Sequence, residues 1–179
     1  MGRVCSVLVL CALLSAVTHA TVVVPADLSE LSREARIIAR GRVVAVDARW
    51  TEDRRAIETL VTLQPESYLK GALGSTVQFR SPGGRLGRFR SVTVGAPEFA
   101  VGERVIVFLG ANGPGIPYVV GLNQGVFRLT PSGQQWLVTP PPVLPTVRPV
   151  RVVRGDPTRT PTPLAQFEQR VRTLVGNAR

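Results

Sequence analysis

From Ile37 to Val138 the apolar residues come in short runs, many alternating with polar ones, and each run is closed by glycine, proline or a charged turn. That rhythm constrains the fold more than anything else in the chain. Ile57, Thr59, Val61 and Leu63 alternate with Glu58, Leu60, Thr62 and Gln64, the period of a half-buried strand. Val77 and Phe79 alternate with Gln78 and Arg80. The stretch from Ile37 to Val46 is β-branched and too apolar for a helix surface, and Arg104–Leu109 (RVIVFL) is the clearest strand of all. Tyr118–Gly121, Val126–Thr130 and Gln135–Val138 read as further short strands, with another at Arg90–Val94 inside the Gly/Pro/Arg-rich excursion 81–98. Thr51–Arg55 reads as a hairpin loop, and Lys70-Gly71 with Gly74-Ser75 as a turn. The fold class expected is mainly β: a small antiparallel barrel with a helix at each end.

The first helix is expected at residues 28–36, where Asp27 and Glu30 have capping-box spacing and Leu28, Leu31 and Ala35 share a face. The second is expected at 163–176, with Thr162 as cap, Pro163 in the first position and Gly176 just past the end. Between them, residues 140–163 hold eight of the 15 prolines, the composition of an extended linker. Arg3, the apolar run Val4–Val17 and the small residues Thr18 and Ala20 form the three parts of a secretory signal. The expected organisation is therefore a signal peptide at 1–20, a β-barrel domain at 21–139, a Pro-rich linker at 140–162 and an amphipathic helix at 163–176.

Cleavage after Ala20 removes Cys5, Cys11 and His19, which are both cysteines and the only histidine. A mature chain without either residue type excludes a Ser-His-Asp triad, a cysteine nucleophile, and zinc held by imidazole or thiolate. It also excludes disulfides, so the core alone must stabilise the fold. Losing Arg3 lowers the net charge from +10 to +9, carried almost entirely by arginine because Lys70 is the sole lysine. A GC-rich genome produces such a bias, and attraction to an anionic polymer or surface requires one; the count does not choose between them.

Ser67-Tyr68-Leu69-Lys70 matches S-x-x-K, but one lysine cannot also supply the K-T-G element that such enzymes need. Asp47, Glu52, Asp53, Glu58, Glu66, Glu98 and Glu103 fall mostly in turns or on outward strand positions, not as a facing pair. Glu58 lies within a strand and is the best candidate for an exception, with a solvated outer face expected. Glu52-Asp53 lacks a calcium-loop frame, and Gly83-Gly84-Arg85-Leu86-Gly87 lacks the Lys-Ser/Thr of a phosphate loop. Arg85, Arg88 and Arg90 form a tight run suited to clamping an anion. They are the candidate binding residues; no catalytic residue, metal or cofactor is expected.

A helix leading into Ile37-Ile38-Ala39-Arg40-Gly41-Arg42-Val43, a strand closed by Tyr68-Leu69-Lys70-Gly71, and Val77 and Phe79 ahead of Phe99-x-x-Gly102-Glu103-Arg104-Val105-x-Val107 make a further pattern. It resembles the netrin-like, tissue-inhibitor-of-metalloproteinases type of OB barrel, and more closely a class of exported bacterial β-proteins of uncharacterised role, over roughly residues 27–130. The resemblance implies that Gly41 permits sharp strand coiling and that Phe99 plugs the barrel. It also implies a binding or inhibitory module. Inhibitors of that type present an amino-terminal cysteine to a protease zinc, and here Thr21 would stand first. The function expected is an exported, periplasmic or extracellular, non-enzymatic module that binds a protein or other envelope partner. One alternative is an anionic-ligand binder for polysaccharide, lipid headgroup or nucleic acid; another is a protease-inhibitor-like module.

Overall fold

A computed structural model describes residues 26–141 and 160–177. The signal at 1–20 and linker residues 142–159 lie outside them. In chain order the elements are α1 (Leu28–Glu34), β1 (Ile37–Trp50), β2 (Ile57–Lys70), β3 (Val77–Pro82), β4 (Gly84–Leu86), β5 (Phe89–Ser91), β6 (Arg104–Gly110), β7 (Tyr118–Val119), β8 (Val126–Ser132), β9 (Gln135–Thr139), β10 (Thr162–Pro163) and α2 (Leu164–Gly176). Among the described residues the fold is mainly β, with two α-helices.

Asp27 starts α1 by accepting the Glu30 N–H at 2.8 Å. The helix stops two residues before the expected end. The Arg36 N–H donates to the Leu109 carbonyl, so sheet pairing replaces helical bonding there. Lys70 Nζ donates to the Ser32 carbonyl at 2.7 Å, placing a cation at the carbonyl end of the helix. Burial lowers the pKa of that ammonium. The lysine of the S-x-x-K match is thus engaged with a helix terminus.

β1 and β2 form one hairpin of two 14-residue strands, from Ile38↔Lys70 to Trp50↔Ile57, with three register shifts along the way. The first half of β1 also pairs with β6, from Ile37↔Leu109 to Arg42↔Arg104. β3 meets β7 in parallel at Arg80↔Tyr118. The order β1-β2-β3-β7-β6 therefore returns to β1, a ring of five strands within a larger sheet that continues through β8, β9 and β10. Gly41 sits at one of the register shifts, where a Cβ would overlap the Gln64 carbonyl. Only glycine allows the two backbones to approach so closely.

β6 is buried from Val105 onward because both of its faces are covered. Val105, Val107 and Leu109 pack with Ala39, Val43, Val61, Leu63, Val77 and Phe79 on one side. Ile106 and Phe108 pack on the other, with Leu31, Ile38, Phe127, Leu129 and Val138 and with Phe167 and Val171 of α2. The sequence separates 163–176 from the β-strands, yet the helix shares their core. It also begins one residue late. Pro163 is the N-cap, and Thr162 pairs with Val138 instead of capping. The strand expected at Arg90–Val94 is Phe89–Ser91, held by pairing with β4.

Candidate functional site

The arginine run of the sequence lies on the β4–β5 hairpin. Gly83 (φ 88°) and Gly84 (φ 146°) turn the chain out of β3. A Cβ on Gly84 would stand 2.7 Å from Thr59 Oγ1, so this glycine lets the hairpin lie flush on β2. Thr59 Oγ1 donates to the Gly83 carbonyl at 2.7 Å and holds the turn in place. The hairpin then folds about Gly87 with the register Gly84↔Ser91, Arg85↔Arg90 and Leu86↔Phe89.

That register decides where the three candidate arginines go. Arg85 and Arg90 are cross-strand partners and project from one face, Arg85 Nε donating weakly to the Gly87 carbonyl at 3.4 Å. Phe89 projects from the other face, with the Arg88 guanidinium 5.0 Å above its ring. Its edge meets Trp50 at 5.4 Å between centroids. The three arginines do not converge on one point: two form a pair, and the third belongs to an aromatic stack. Trp50 and Phe89 are 37% and 47% exposed. Local sequence does not single them out, although Phe89 stands between Arg88 and Arg90 and Trp50 closes the strand before a charged loop.

In that loop, residues 51–56, Asp53 Oδ1 accepts the Thr51 hydroxyl at 2.6 Å and the Arg55 N–H at 3.2 Å. The Thr51 bond first and the Arg55 bond second hold the carboxyl below its ordinary value. Glu58 is not on a solvated face. It is 9% exposed, and its Oε1 takes both Arg49 Nε at 2.9 Å and Arg49 Nη2 at 2.8 Å. The two residues are direct partners in the β1–β2 register, so the largely buried carboxylate is neutralised by a guanidinium whose own side chain is 44% exposed.

The opposite end of the molecule is ion-paired. Glu66 lies 3.0 Å from Arg104 and 3.7 Å from Arg40, and Arg40 also reaches Glu168 of α2 at 3.3 Å. Arg104 stacks over Trp136 at 4.7 Å, while Arg128 lies 3.7 Å from Glu103 and donates to the Glu98 carbonyl at 2.6 Å. The Phe99–Gly102 turn is latched to β1 through Gly102 N–H to the Val43 carbonyl, and Phe99 meets Phe79 edge-on at 5.3 Å. Beside it opens a groove of about 370 Å³ lined by Arg42, Gly102, Glu103, Arg104, Leu129, Pro131 and Trp136. Among the described residues no three His, Cys, Asp or Glu side chains gather as a metal site.

No protein-family model, curated protein or solved structure matches the chain.

Proposed function

We propose that this chain is an exported, non-enzymatic binding module whose strand ring is a small OB-like barrel. Its contact surface is the end formed by the β1–β2 tip and the β4–β5 hairpin. One observation carries the reading: four arginines without a carboxylate partner and two half-exposed aromatic rings share this end of the molecule. Arg54, Arg85, Arg88 and Arg90 have no carboxylate partner among the described residues. Trp50 and Phe89 stay half exposed, while Phe79 and Phe108 are fully buried. Aromatic and arginine side chains are the residues enriched at protein–protein contacts and at their energetic centres. The partner that fits is a macromolecule, a protein above all, with an acidic and partly apolar surface.

Three further features support the reading. β1 pairs on both sides within the ring, as barrel closure requires. Glu58, Glu66 and Glu103 are each engaged by arginine, which leaves them poorly placed as general bases. The sequence of residues 1–20 has the signal pattern, so exported material should begin at Thr21.

Crosslinked capture of partners from the native envelope tests the proposal through variants. Trp50→Ala/Phe89→Ala should abolish capture at low and high salt alike, and replacement of Arg85, Arg88 and Arg90 together should weaken it most at low salt. Capture that disappears only in the arginine variant and is fully salt-labile turns the reading into anionic-polymer binding. Capture unchanged in both variants rejects this surface.

A further inference from the structure

We infer that the groove beside the start of β6 binds a carboxylate carried on a ring with an apolar face, with Arg42 as its anchor and Trp136 and Pro131 as its wall. This site is separate from the hairpin end and does not depend on the function proposed for it.

Arg42 is an exposed guanidinium whose charge is not compensated by a carboxylate among the described residues. Arg42 and Arg104 are direct partners in the β1–β6 ladder, so their side chains leave the same face of the sheet. Like charges in that relation repel, and the structure relieves only one of them. Arg104 lies 3.0 Å from Glu66 and stacks on Trp136. Its neighbours are relieved as well, Arg40 by Glu66 and Glu168 and Arg128 by Glu103. Arg42 alone of this group has no partner among the described residues.

Arg42 is also placed to receive a ligand. It lines the groove, and its Nη2 lies 3.8 Å from where a Cβ would stand on Gly102, so the missing side chain keeps the space beside the guanidinium open. Glu103 lines the groove too, but its carboxylate accepts the Ala100 N–H at 3.1 Å and faces Arg128, so it is satisfied without Arg42. Leu129, Pro131 and the part of Trp136 that Arg104 does not cover supply the apolar side. A guanidinium fork matches the two oxygens of a carboxylate, and a space of about 370 Å³ suits one ring. A bare inorganic anion would satisfy Arg42 and leave the wall unused. Two sources share the chemistry, an acidic sugar unit and an aromatic acid.

The chain has two tryptophans, so Trp50→Phe leaves the indole N–H resonance of Trp136 as a single reporter. This variant is titrated with trigalacturonate and with benzoate, against neutral trigalactose, benzamide and inorganic phosphate. At least one carboxylate should shift the Trp136 resonance saturably, and at least tenfold more tightly than its neutral counterpart or phosphate. Response to trigalacturonate alone assigns an acidic sugar; response to benzoate alone assigns an aromatic acid. Arg42→Ala should weaken binding about tenfold or more with the melting temperature unchanged, and Arg42→Lys should recover only part, having the charge without the fork. Arg33→Ala, at an exposed position of α1, should leave the titration unchanged. No saturable response into the millimolar range, equal binding of phosphate, or an Arg42→Ala titration matching the parent overturns the assignment.

Discussion

Arginine plays different parts at the two ends of this molecule. Around the groove and α2, Arg40, Arg104 and Arg128 lie against Glu66, Glu168 and Glu103. At the hairpin end, Arg54, Arg85, Arg88 and Arg90 meet no carboxylate among the described residues, Arg55 lies 3.9 Å from the exposed Asp53, and Arg49 is tied to the buried Glu58. The residue type is the same at both ends. What differs is whether a distant segment brings an acid within reach, as α2 brings Glu168 and β2 brings Glu66. The ion pairs near α2 are partly buried, with side chains 18–37% exposed, and the cost of desolvating the charges offsets much of their attraction. They orient the helix, while the column Phe108–Phe127–Phe167, with centroid spacings of 5.5 and 4.8 Å, anchors it.

The largest effect should therefore come from that column. Phe167→Ala should lower stability by about 3–5 kcal/mol in chemical denaturation. Phe89→Ala, at the other end, should stay within about 1 kcal/mol. If Phe167→Ala also falls within that smaller range, α2 is an accessory and residues 21–139 form the cooperative unit. Gly41→Ala should cost about 2 kcal/mol or more, since its Cβ meets the Gln64 backbone and not a movable side chain. A thermal melt close to the parent would mean that β1 and β2 can separate at the shift without loss.

The ion pairs come next. Glu66→Gln should destabilise by about 1 kcal/mol, with measurable coupling to Arg104→Ala in a double-mutant cycle. Replacing Arg85, Arg88 and Arg90 together should move stability by no more than about 0.5 kcal/mol. A large loss there would show that the hairpin arginines hold the fold, and the contrast between the ends would fail. The smallest effect concerns pH. Asp53 has a lowered pKa when folded, so its contribution is present above its ordinary value of 3.8 and is lost as pH falls through the folded value. Thr51→Val removes the leading cause, and between about pH 5 and about pH 2 this variant should lose slightly less stability than the parent. An identical acid limb in the two proteins would remove the Thr51 bond from the account.

Much of the β framework was legible because alternation reports which face of a strand is buried. The runs at 57–64, 77–80 and 104–109 became β2, β3 and β6. Glu58 was misread for a reason that alternation cannot reveal. Its burial depends on Arg49 standing opposite, and that follows from a register set across the Thr51–Ala56 loop. The candidate site shows the same division. Arg85, Arg88 and Arg90 could be named as a cluster, but their separation onto two faces depends on the turn at Gly87, and the aromatic partner of Phe89 lies 39 positions away at Trp50.

The sequence by itself determined where most of the long strands and turns fall, how the first helix is capped by Asp27, and which residue types are available for chemistry. These depend on local backbone preference and on side-chain identity. Only the tertiary structure decided that β1 pairs with both β2 and β6, that α2 belongs to the core, and that Arg42 faces a groove without a counter-ion while Arg104 has one. Each of those depends on segments distant in the chain meeting in space. Coulomb attraction and apolar burial act over ångströms between atoms and take no account of separation along the sequence.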